Sequence, residues 1–177
     1  MDWVDSAGGP LIFAEEGFAR AWMGVFGCSK TAAGQTTDYD RASRIKGYIE
    51  IVECNGGSVL VLGDEPLQSA FFVTDGGEPA IVRWVFAKAR DMELRLKEPL
   101  LEIVELAPAI KFETRSDLVF LFDAGGQAEN LIDKRKEPSS IRNVALARMP
   151  PGVHNVTTEL IQSNGNYKFI LHRFIRQ

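Results

Sequence analysis

Asp38-Tyr39-Asp40 is the first place along the chain where side chains of a useful type stand at a useful spacing. Two carboxylates two residues apart fall on one side of an extended chain and can hold a divalent cation. The same residues also read as the start of a short helix. Thr37 or Asp38 would be the N-cap before Ala42 and Ile45, with Arg41 and Arg44 as local partners. The D-x-D pattern recurs by chance in acidic chains, so the capping reading ranks first. Gly63-Asp64-Glu65-Pro66 brings two adjacent carboxylates to the end of an apolar run. They could act as acid and base or mimic phosphates, although a strand-to-turn exit attracts Asp and Gly as well. His154 and His172 are the only histidines, and no Cys-x-x-Cys or His-x-x-x-His spacing occurs. A zinc site, which takes three or four N/S ligands, is therefore not expected. Cys28 with either histidine has the residue types of a nucleophile and its base, but nothing local would activate the thiol. The chain also lacks G-x-S-x-G, a phosphate-binding glycine loop and a dinucleotide fingerprint. The expectation is no catalytic residue, no metal and no cofactor. A metal-dependent hydrolase using Asp38, Asp40, Asp64 and Asp123 is the weaker alternative, behind a small-molecule or peptide binding module.

The elements that must position these residues are mostly strands. Gly47–Glu53 alternates in the β pattern, Asn55-Gly56-Gly57 supplies a tight turn, and Ser58–Leu62 returns. Ala70–Val73 and Ala80–Phe86 flank Thr74-Asp75-Gly76-Gly77, a second hairpin. Ile110–Thr114, Leu118–Asp123, Val144–Arg148, Val153–Ile161 and Tyr167–Ile175 complete about nine or ten strands. Pro150-Pro151-Gly152 and Ser163–Asn166 are expected turns. Two helices are predicted. In the first, near residues 15–26, Phe18, Trp22, Val25 and Phe26 recur at helical spacing and Gly27 suits the stop. In the second, near 89–107, Met92, Leu96, Leu100 and Ile103 line one face, with Pro99 as a kink. Residues 124–140 form the expected long polar loop, and Lys134-Arg135-Lys136 within it is a solvated cluster. The fold class is thus α+β and mainly antiparallel β, with two packed β units and two helices. Residues 1–177 read as a single domain, with two similar β halves, about 1–88 and 108–177, joined by the second helix.

Composition narrows the partner. The chain has 177 residues, 20 Lys+Arg against 24 Asp+Glu, and a net charge of -4. That argues against a nucleic-acid binder, which carries a basic stripe. No apolar run approaches the roughly 20 residues that span a bilayer, and the acidic start Met1-Asp2-Trp3-Val4-Asp5 is unlike a signal peptide. Two cysteines suit reduced thiols, so the expected location is cytoplasmic, with no nucleic acid and no membrane as partner. Residues 1–80 carry 12 acidic and 5 basic side chains, whereas residues 81–177 carry 12 and 15. An acidic half of this kind can steer association with a basic partner.

Several segments, in this order, resemble the immunity protein 21 family of bacterial polymorphic toxin systems. They are Trp3-Val4-Asp5-Ser6 with Gly8-Gly9-Pro10-Leu11-Ile12, then Asp38-Tyr39-Asp40-Arg41-Ala42, Gly47-Tyr48-Ile49, Val61-Leu62-Gly63-Asp64-Glu65-Pro66 and Val82-Arg83-Trp84-Val85. Phe122-Asp123-Ala124, Pro151-Gly152-Val153 and Leu171-His172-Arg173 are weaker echoes. Ser43 departs from the pattern, which leads one to expect a cysteine there. The resemblance implies a non-enzymatic cytoplasmic inhibitor that binds a cognate polymorphic or contact-dependent toxin. It assigns no role to the motif positions Trp3, Gly8, Gly9, Pro10, Arg41, Gly63, Pro66, Arg83 and Trp84. The charge count makes Asp38, Asp40, Asp64 and Glu65, with Tyr39 as an aromatic anchor, the expected toxin contacts.

Overall fold

Alternation of apolar and polar residues along most of the chain produces two antiparallel sheets, packed face to face in a computed structural model. It describes residues 2–29, 36–63, 67–87, 102–127, 129, 144–163 and 167–177. The strands are β1 (Trp3–Val4), β2 (Leu11–Glu15), β3 (Ile49–Cys54), β4 (Gly57–Leu62), β5 (Ser69–Val73), β6 (Pro79–Ala87), β7 (Glu102–Thr114), β8 (Leu118–Asp123), β9 (Val144–Arg148), β10 (Gly152–Ser163) and β11 (Tyr167–Arg176). The helices are α1 (Glu16–Ala21) and α2 (Asp38–Ala42), with a 3₁₀ turn at Gly24–Phe26. One sheet runs β1-β5-β6-β11-β10-β7 and the other β3-β4-β2-β8-β9.

The hairpin around Asn55-Gly56 forms as its sequence dictates. Both residues take positive φ (48° and 77°), the geometry that matches strand twist, and Cys54 pairs with Gly57 across the turn. β5 and β6 form the second expected hairpin, closed by Thr74 N donating to Glu78 O at 2.8 Å. β10 and β11 pair from His154–Arg176 to Ser163–Tyr167. Their expected turn residues 164–166 lie outside the described residues, as does the cluster Lys134-Arg135-Lys136.

Two expectations change. Helical spacing predicts a helix near 89–107, but residues 102–107 open the long strand β7, paired to β10. Residues 88–101 lie outside the described residues. Pairing with β10 outweighs the local periodicity, and Pro108 is tolerated because β7 is an edge strand. The helix expected over 15–26 ends at Ala21. Gly24, at φ 57°, then carries the chain into the 3₁₀ turn, so Val25 and Phe26 leave the apolar face.

The period-2 pattern sorts the core into layers. Leu11, Phe13, Leu60, Leu62, Val119 and Leu121 of the smaller sheet face Ile81, Phe112, Val156 and Phe174 of the larger. On the smaller sheet's other face, Ile12, Ala14, Val61, Phe120 and Phe122 bury Ala19 and Trp22 from the α1 segment and Ala42 of α2. The outer face of the larger sheet holds Val82, Phe169 and Leu171, with Trp3 and Trp84 packed against them. Both sheets take strands from both ends of the chain, through the β6–β11 and β2–β8 pairings.

Phe13 lies at the centre of the inter-sheet layer, its ring 5.8 Å from Phe71, 5.9 Å from Phe112 and 5.1 Å from Phe174. Phe13→Ala should lower unfolding free energy by about 3–5 kcal/mol, measured by urea denaturation.

Candidate recognition site

Four chain segments meet at one end of the smaller sheet, around α2. The helix starts with a reciprocal cap. Asp40 N donates to Thr37 Oγ1 and Thr37 N donates to Asp40 Oδ2, each at 3.0 Å. The N-cap is therefore Thr37. The Thr37 backbone N–H first, and the Thr37 hydroxyl second, hold the Asp40 carboxyl below its ordinary range while it remains exposed. Asp38, next in from the cap, has no exposed surface. Its Oδ2 accepts from Met23 N at 2.9 Å and Ser29 N at 3.0 Å. Its Oδ1 accepts from Ser29 N and Ser29 Oγ at 3.0 Å and from Arg41 Nη1 at 2.9 Å. Arg41 also donates to the Glu53 carbonyl at the edge of β3 and stands 3.6 Å from Cys28 Sγ. One buried carboxylate thus joins α2, the 3₁₀ turn and the Cys28–Ser29 segment, and Arg41 extends the connection to β3.

Tyr39 is half-buried and lies over the N-terminal loop. A Cβ on Gly9 would stand 2.7 Å from the Tyr39 hydroxyl, so only glycine lets the ring close on that loop. Ser6 Oγ accepts from Gly9 N at 3.0 Å and Gly8 N at 3.2 Å, and donates to Gly9 O. Asp123 closes the far side, its Oδ2 accepting from Ala7 N and its Oδ1 from Gly125 N, both at 2.8 Å. Pro10 O accepts from Ala124 N at 3.0 Å, Trp22 Nε1 donates to Ala124 O at 2.9 Å, and Val25 N donates to Gly125 O at 3.2 Å. On the outside of this knot stand Met23, Val25 and Phe26, 37%, 47% and 71% exposed.

A second group of motif positions meets elsewhere. Gly63 N donates to Tyr48 O at 2.8 Å, and Gly63 O accepts from the fully buried Arg83 Nη2 at 2.9 Å. Arg83 shares the inter-sheet side with His172, two pairs further along the β6–β11 ladder. His172 is buried with Nδ1 3.1 Å from Thr158 Oγ1. Burial, and then the Arg83 charge, push its pKa well below the usual histidine range. Trp84 packs edge-on against Trp3 at 6.0 Å and against Phe169 at 6.2 Å.

Of the residues singled out for toxin contact, Asp40 is exposed, Tyr39 is half-buried and Asp38 is wholly interior. The Asp38 carboxylate has no exposed surface, and its oxygens accept from Met23, Ser29 and Arg41. Asp64, Glu65 and Pro66 lie outside the described residues. Among the described residues no three His, Cys, Asp or Glu side chains gather at a common point. Asp38 and Asp123 already accept from backbone N–H groups. Both imidazoles have other neighbours, His154 Nε2 standing 2.9 Å from Pro150 O and His172 against Thr158. The exposed Met23, Val25 and Phe26 escape sequence reasoning, because helical spacing counts Val25 and Phe26 as core. The available signal was the pair of glycines, Gly24 and Gly27, that brackets the two.

A family model described as Immunity protein 21 matches residues 2–166. Comparison with curated proteins and with solved structures gives no match.

Asp38→Ala leaves Arg41 and the Met23 and Ser29 amides without their acceptor, and should cost about 3–5 kcal/mol in chemical denaturation. For His172 the sign follows from linkage. Its folded pKa lies below the ordinary value of 6.5, so near and below that pH the unfolded chain holds more protons. Stability should therefore fall as pH drops through about 6.5, with a slope of at most ~1.4 kcal/mol per pH unit from this group. Melting of His172→Gln between pH 7 and pH 5 should lack that component.

Proposed function

Because the chain belongs to the Immunity protein 21 family, we propose that it binds a cognate polymorphic or contact-dependent toxin and neutralises it by occlusion. The family match over residues 2–166 carries this reading. In it the protein works stoichiometrically in the cytoplasm, without turnover and without a cofactor. Among the described residues no helix is long and apolar enough to cross a membrane. An interface of roughly 1,200–2,000 Å² supplies the needed affinity when a few anchors are well buried.

Tyr39 and Asp40 are the expected contacts that stand at or near the surface around α2, and the acidic excess of residues 1–80 favours a basic toxin surface. We also read residues 1–177 as one recognition domain, a reading supported by the strands that the two ends of the chain contribute to each sheet.

The test is to clone the genes flanking this chain's and co-express with it the C-terminal toxin domain that the proposal expects there; flanking genes without such a domain would count against the proposal. Growth should be restored and a stoichiometric complex should co-purify. Continued killing with no complex would overturn the proposal. So would catalytic consumption of a substrate that is abolished by replacing one carboxylate.

A further inference from the structure

The strongest unassigned surface is the short ridge Met23, Val25 and Phe26. Exposed apolar side chains occur singly on any soluble protein. This ridge differs because its backbone is fixed. Met23 N donates to the buried Asp38 carboxylate at 2.9 Å, Phe26 N donates to Met23 O at 3.0 Å, and Val25 N donates to Gly125 O at 3.2 Å. Asp38 N donates to Gly27 O at 2.8 Å, which ties the end of the ridge to the first turn of α2. An aromatic held out 71% exposed on a fixed backbone loses little conformational freedom on binding, and that lowers the cost of association.

Charge indicates what meets it. Two guanidinium groups nearby are engaged, Arg41 with Asp38 at 2.9 Å and Arg20 with Glu16 at 3.0 Å, while the charge of Arg44 also acts on Asp40. Asp40, two residues beyond the Asp38 amide that bonds the ridge, is exposed with its carboxylate oriented by Thr37 N. The half-chain that carries the ridge, residues 1–80, has 12 acidic side chains against 5 basic.

We propose that this ridge is the anchor of toxin recognition. Phe26 enters an apolar pocket on the toxin, and Asp40 faces a basic side chain on that pocket's rim. The proposal rests on the inhibitor reading above. It assigns the apolar anchor, Phe26, to a residue outside every motif segment, with Asp40 of the 38–42 segment beside it, while the motif residues Asp38 and Gly9 fix the knot that the ridge stands on.

The probe is the purified C-terminal toxin domain encoded beside this chain's gene, rendered inactive, with binding followed by calorimetry and stopped flow. Phe26→Ala should raise Kd at least about 30-fold, the scale of a hot-spot residue, with an unchanged melting temperature because the side chain is exposed. Asp40→Asn should slow association, by a factor that shrinks as salt is raised. Phe26→Asp gives a second, charged challenge to the same pocket and should abolish the complex. Wild-type protein that binds the toxin domain, with all three variants binding equally well, overturns the ridge and leaves the inhibitor reading intact. Wild-type protein that does not bind overturns both.

Discussion

A carboxylate removed from water must have its lone pairs met by donors, and Asp38 is the residue on which this requirement falls hardest. Its two oxygens take bonds from Met23 N, Ser29 N, Ser29 Oγ and Arg41 Nη1. These donors come from three separate stretches of chain that make no sheet with one another. The stretches therefore owe their mutual arrangement to an ion that is tolerated only while all of them are in place. Breaking such a pair costs more than forming it gains, because the remaining charge and amides are left without partners. The same logic repeats at Asp123, which gathers Ala7, ahead of β2, and Gly125, just past β8, at the end of that strand pair where Leu11 meets Asp123.

Around these two carboxylates the motif residues of the N-terminal half have mainly architectural tasks. Gly9 makes room for the Tyr39 ring, Pro10 offers its carbonyl to Ala124, and Arg41 joins α2 to the edge of β3. The second knot, Gly63 with Arg83, does comparable work where the end of β4 meets the larger sheet. A segment can thus be distinctive in sequence because the chain has to pass several backbone strands close together, without any of its side chains touching a partner.

The layering explains why so polar a junction is affordable. Phe13, Phe112 and Phe174 fill the inter-sheet space, and Trp22 with Phe122 fills the space beneath the helices. Burial on this scale is the dominant favourable term, and it supports a few fully bonded ions at the margin of the core. Arg83 and His172 are fully buried elsewhere, where burial first and the Arg83 charge second push the imidazole's pKa well below the usual histidine range.

Apolar runs and alternation by themselves determined β3 through β6, β8 through β11 and the turns at Asn55-Gly56 and Thr74–Gly77, because strand pattern and turn chemistry are local properties. A helix capped at Thr37 or Asp38 was legible for the same reason, and the structure selects Thr37. The sequence also carried the family resemblance. Tertiary structure alone decided that residues 102–107 are strand, since only pairing with β10 distinguishes them from an amphipathic helix of equal periodicity. It alone decided that Asp38 is interior while Asp40, two positions away, is exposed, because helical rotation turns neighbouring carboxylates to opposite sides. And it alone placed Phe26 in solvent: Phe26 N bonds Met23 O, and that turn is held by Asp38 at Met23 N and by Gly125 at Val25 N, residues that no local reading brings together.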